Sequence, residues 1–189
     1  MSSLIFFLLA KNFPVLQARV FYPSSPADEE IEQYLENRDP ELGWPGKKAL
    51  LLNHDRNGAR LSPANAAIGG GAYCFEFYGD LFTYSAGVDH ADAWPNILAE
   101  RIGCKVLNFG VFAYGVDQAV LRHRQTGGNA KNVGLVIYPD DIKRNLNQQR
   151  SLLAPTLGRL DFKPRFVVRQ DEFHIVGPSP EGLSNLKQS

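Results

Sequence analysis

The sequence predicts an α/β fold, a three-layer sandwich with a parallel central sheet. Three features predict it. From residue 72 onward, apolar runs of strand length recur. Stretches with helical periodicity separate them. Each run is mostly apolar rather than alternating, which marks a strand covered on both faces.

The elements follow in order. Ala72 to Tyr78 (AYCFEFY) reads as the first strand, with Gly79-Asp80 as its tight exit. Ala93 to Ile102 reads as a helix with Trp94, Ile97, Leu98 and Ile102 on one face and Gly103 as its stop. Lys105 to Phe109 (KVLNF) is a second strand and Val116 to Gln125 a second helix. Val133 to Tyr138 (VGLVIY) is a third strand, buried on both faces. A further covering helix around Leu146 to Leu153 would soon end at Pro155 and Gly158. Arg165 to Val176 reads as a hairpin that breaks near Gln170-Asp171-Glu172, and from Gly177 the tail is polar.

Residues 1–71 form a Pro-rich N-terminal extension ahead of the domain at 72–189. From Lys11 to Ala72 the density of Pro and Gly excludes long helices. One short helix fits Pro26 to Asn37, with Asp28, Glu29 and Glu30 at its positive end. Arg38 to Trp44 reads as an ordered loop with an aromatic anchor.

Bulk properties exclude some functions. The chain has 189 residues, enough for one domain. Twenty basic residues balance twenty acidic ones, so charge offers no case for nucleic acid. Cys74 and Cys104 lack zinc spacing and read as two buried free thiols rather than a bridge. The apolar run Leu4 to Ala10 is far shorter than the roughly 20 residues of a membrane span. No basic residue precedes it and no clear cleavage site follows, so cytoplasmic, exported and anchored destinations all stay open.

Chemistry in an open parallel sheet sits beyond the carboxyl ends of the strands. Three loops leave those ends, at Gly79–Thr83, Asn108–Val111 and Tyr138–Asp141. They carry a resemblance in three ordered blocks. FYGDLFTYSAGV, WPNILAERIGCKVLNFGVFAYGVDQ and LVIYPDDIKRN resemble the first three blocks of the SGNH (GDSL-type) ester hydrolases. RDPELGWP and KPRF are similar to a bacterial subset of that family. The resemblance runs from about Arg38 to Pro180. It implies that position 81 is the nucleophile slot, that Gly110 gives its amide to the oxyanion hole, and that position 140 holds an asparagine oxyanion donor.

The departures from that pattern matter more. Leu81 has no oxygen to attack with. Asp140, when ionised, only accepts hydrogen bonds and would repel a developing oxyanion. The family's closing Asp-x-x-His block is missing. Asp171 and His174 have that spacing, but in the presumed hairpin. His54, His90 and His123 are scattered singly and read as surface or packing residues. Thr83 and Ser85 read as turn or capping hydroxyls, and Asp80 as an organiser of its loop. Asp140 with Asp141 is weak support for a metal, and no cofactor is implied.

The expected function is an SGNH-hydrolase-like domain, related to acyl and acetyl ester hydrolases and catalytically impaired. The alternatives are a non-catalytic module holding an ester, sugar or peptide group, and an interaction protein completed by a partner. Three parallel strands are fewer than the family's sheet holds. An edge or face should therefore stay open, inviting self-association or a partner chain.

Overall fold

The computed structural model describes residues 27–44, 53–150, 160 and 162–177. Helix α1 is Asp28–Asn37 and α2 is Pro63–Ile68. Strand β1 (Tyr73–Tyr78) leads into the short helix α3 (Leu81–Tyr84), then α4 (Trp94–Ile102) and β2 (Lys105–Asn108). Then come α5 (Val116–Thr126), β3 (Ala130–Leu135), α6 (Pro139–Asn145) and the hairpin strands β4 (Arg165–Arg169) and β5 (Glu172–Val176). Leu4 to Ala10, the tail beyond Gly177 and the last three residues of the helix expected around Leu146 to Leu153 lie outside the described residues. Its described part, Leu146 to Arg150, is not α-helical. No described helix is long and apolar enough to cross a membrane.

Mixed helices and strands surround a three-stranded parallel sheet in the order β2-β1-β3. Alternation along β1 sorts its two faces. Phe75 and Phe77 pack with Ala64 of α2, Leu98 and Ala99 of α4, and Val106 of β2. Tyr78 faces the other way, in a cluster with Leu107, Phe109 and Ala119 of α5. The strand order reverses beside β1, so the topological switch point lies between the carboxyl ends of β1 and β3.

The structure turns parts of two stretches read as loops, Gly79–Thr83 and Tyr138–Asp141, into the helices α3 and α6, and it corrects four further expectations. The third strand begins earlier, at Ala130, and is not buried on both faces: Val133 is 52% exposed and Leu135 41%. Their partners across the ladder, Glu76 and Tyr78, sit under α5, but β3 is the edge strand and is left uncovered. The expected face of α4 holds only in part: Leu98 packs on the sheet and Ile97 is half-buried, but Trp94 is 36% and Ile102 44% exposed. Pro95, Asn96 and Ala99 are buried instead. The reason is polar. Asn96 Oδ1 accepts from Ser62 Oγ (2.8 Å) and from Ala64 N (2.9 Å), locking α4 to the start of α2.

Third, Cys74 and Cys104 are not free but joined in a disulfide, with Cα atoms 5.9 Å apart. It ties β1 to the start of β2 where their register shifts, between Tyr73 and Phe75. Closing a loop across a sequence separation of 30 contributes about 3.6 kcal/mol. Fourth, α2 interrupts a stretch expected to be irregular. Ser62 caps it by accepting from Asn65 N at 3.2 Å, with Pro63 in its first turn. Six residues are too few for a periodic signal.

The described part of the N-terminal extension is built into the domain. Leu42 packs with Val111, Tyr114 and Leu121. Its loop is held by Gln118, fully buried, whose amide donates to Leu42 O at 2.7 Å and to Trp44 O at 3.3 Å. The loop also meets the segment after residue 160: a side chain at Gly43 (φ +78°) would collide with Phe162 O at 2.1 Å. The two sheet edges differ. Asn65 closes the β2 edge like an added strand, accepting from Val106 N (2.9 Å) and donating to Val106 O (2.7 Å), and Arg60 N donates to Asn108 O at 2.8 Å. Among the described residues nothing pairs with the outer edge of β3.

The hairpin turns at Gln170 and Asp171, both with left-handed φ, as a two-residue turn requires. Asp171 and His174 are exposed there, in a separate two-stranded sheet.

Candidate functional site

The loops after β1 and β2 do converge. Leu81 is half-buried and opens α3 directly after the loop leaving β1. Gly110 sits against α3 so closely that a Cβ would lie 2.2 Å from Tyr84 N. At Gly79 a Cβ would meet Thr83 Oγ1 at 2.2 Å and Val136 O at 2.6 Å. Both glycines are thus required by close approach of backbone to backbone.

The amide that the resemblance assigns to an oxyanion is engaged elsewhere. Gly110 N donates to Asn108 Oδ1 at 3.0 Å, in a buried bond. An oxyanion there would have to displace that oxygen. Asp140 points outward: its side chain is 53% exposed and accepts from Lys143 Nζ at 3.1 Å. Position 81 thus carries hydrocarbon, position 110 an occupied amide and position 140 an exposed ion pair.

Beside them lies a polar centre that sequence reasoning missed. Asp80 is buried and caps α3, accepting from Phe82 N at 2.9 Å. Its other oxygen accepts from Arg144 Nη1 at 3.1 Å. The same nitrogen donates to Asp141 Oδ1 at 2.6 Å and to Tyr114 O at 3.1 Å. Asp141 Oδ2 accepts from Tyr138 N at 2.8 Å, closing the first turn of α6. Two buried carboxylates therefore share one guanidinium. Burial, with Asp80 nearby, raises the Asp141 pKa to about 6. The sequence did hold a signal: two strand-end loops each carrying an acidic residue need a counter-charge, and Arg144 lies three residues beyond Asp141.

A second unforeseen clamp is Arg60, which is buried. Its guanidinium donates to Tyr84 O, to Ser85 O (2.7 Å) and to Val88 O (2.6 Å), and Nε donates to His90 Nδ1 at 3.2 Å. A cation on these carbonyls also suits the negative end of α3. Ser85, at φ 63°, ends that helix in the left-handed region.

Neither hydroxyl near position 81 is activated. Thr83 Oγ1 and Ser85 Oγ are buried without a hydrogen-bond partner. His90 is taken by Arg60, and His123 Nδ1 lies 3.4 Å from Glu76. Burial, then Arg122, lowers the His54 pKa to about 4, and both its ring nitrogens are unpartnered. A nucleophilic hydroxyl needs a base in hydrogen-bond reach, and among the described residues none is bonded to Thr83 or Ser85. No protein-family model, curated protein or solved structure matches this chain.

Proposed function

We propose that the chain is an SGNH-hydrolase-like domain that does not hydrolyse esters through position 81. The supporting observation is Leu81 itself, an aliphatic side chain opening α3 at the carboxyl end of β1. The occupied amide of Gly110 and the outward Asp140 add to it. Without a nucleophile the covalent route has no first step. A fluorophosphonate probe should leave the protein unlabelled, and Leu81→Ser should gain no ordinary turnover of a short-chain aryl ester, because a serine without a base remains a weak nucleophile. Stoichiometric labelling of the unaltered chain, at Ser85 for instance, would refute this reading.

A second reading, interaction through the open sheet edge, has its own support. The β2 edge is closed by Asn65, whereas β3 is unpaired among the described residues and exposes Val133, Leu135 and, beyond its end, Ile137 at 56%. Such an edge templates pairing with another chain. Light scattering should show association that rises with concentration, and Val133→Lys should weaken it. A wild-type protein that stays monomeric at every concentration excludes self-association by this route.

A further inference from the structure

We propose that the cavity beside Arg144 binds a small carboxylate-bearing molecule with a flat or apolar body. This goes beyond the hydrolase resemblance and does not depend on it. The cavity holds about 330 Å³, and Trp44, Phe112, Lys143, Arg144, Arg150 and Lys163 line it. That volume suits a small organic ligand. Phe112 follows Gly110 in the loop after β2, and Lys143 and Arg144 belong to α6, so the cavity opens at the strand ends where such a sheet takes its ligands.

The polar side of the lining is cationic. Asp140 is its one carboxylate and already accepts from Lys143 at 3.1 Å. The carboxylates that balance Arg144 and Lys163 are Asp80, Asp141 and Asp117, and all three are buried outside the lining. A ligand entering the cavity therefore meets Lys143 and Arg144 ahead of the carboxylates behind Arg144, while the Lys163 ammonium stays buried on Asp117 and Pro164 O. Arg144 makes its bonds to Asp80, Asp141 and Tyr114 O through Nη1. Among the described residues nothing accepts from its Nε or Nη2. A guanidinium fixed at one nitrogen and open along its other edge fits a carboxylate.

The apolar side supplies the body's contacts. The Arg150 guanidinium lies 4.5 Å from the centre of the Phe112 ring, joining cation and aromatic wall. Trp44 is 5% exposed and its indole N–H is buried without an acceptor. Ala113, also in the lining, holds φ at 61°, a conformation that non-glycine residues seldom adopt and that gathers at functional sites.

The test is calorimetric titration of the full chain at low salt with benzoate and 2-naphthoate, each against its carboxamide. The carboxylates should bind saturably at one site, about tenfold tighter than the carboxamides, and weaken as salt rises. Phe112→Ala and Arg150→Gln should each weaken 2-naphthoate by about threefold or more while circular dichroism shows the fold intact. Carboxamides binding as well as carboxylates would overturn the proposal. So would the absence of saturable binding by either acid at millimolar concentration, or affinity unmoved in both variants.

Discussion

Lys163→Met should lower the stability of the folded chain by about 3–5 kcal/mol, the usual consequence of breaking a buried ion pair on one side. Lys163 is 1% exposed, and its ammonium donates to Asp117 Oδ2 and to Pro164 O at 3.0 Å. Burial pulls the Lys163 pKa down and pushes the Asp117 pKa up, while each opposes the shift of the other. Without the cation, Asp117 is left as a buried carboxyl held only by backbone amides, Gln118 N among them at 2.8 Å. The same residue anchors a long-range junction, since Lys163 N donates to Gln148 O at 2.8 Å and Phe162 packs on the Tyr34 ring at 6.1 Å. Urea denaturation reads the loss as a lower midpoint. The double variant Lys163→Met with Asp117→Leu should recover most of it, because a buried pair replaced by apolar groups is often neutral. A single variant within about 1 kcal/mol of the parent would mean that the two charges are solvated rather than buried together.

Asp141 should make stability fall as pH rises. Its pKa in the fold is raised above the ordinary 3.8, to about 6. Below about pH 4 the carboxyl is protonated both folded and unfolded, and its favourable contribution is fully present. Between 4 and 6 the unfolded chain ionises first, and the contribution is lost by the time the folded group ionises as well. The rise from 3.8 to about 6 corresponds to about 3 kcal/mol across that window. Physically, burial strips water from the Asp141 carboxylate and the nearby Asp80 adds to the penalty, so Asp141 keeps its proton to higher pH than an isolated acid would. Denaturation of Asp141→Asn and of the parent, repeated from pH 4 to 7, isolates the effect. The variant should gain on the parent as pH rises, and a constant difference across the series would show that Asp141 is ionised throughout.

Features governed by neighbours along the chain were readable from the sequence itself. Gly103 ends α4 in the left-handed conformation, at φ 62°, because only the local backbone decides that turn. The three strands with α4 and α5 between them, the helix at Asp28–Asn37 and the turn at Gln170-Asp171 follow from the same short-range chemistry, whereas the short helix α3 falls where the sequence reads as a loop. So did the hydrocarbon side chain at Leu81, the residue immediately after the Asp80 cap. Burial of the third apolar run was misread because a sequence shows that Val133 and Leu135 are apolar but not whether a helix covers them.

What only the tertiary structure decided is which polar groups meet. Arg144 reaches Asp80 across 64 residues, Gln118 reaches Leu42 across 76, and Lys163 reaches Asp117 across 46. The Cys74–Cys104 bridge and the Asn65 cap on β2 depend equally on how β1, β2 and α2 pack. Charge and hydrogen-bonding capacity are properties of single residues, so the sequence determined that these groups would need partners once buried. Partnership is a property of distance, and distance between remote residues is fixed only when the apolar faces of the sheet and its helices close on one another.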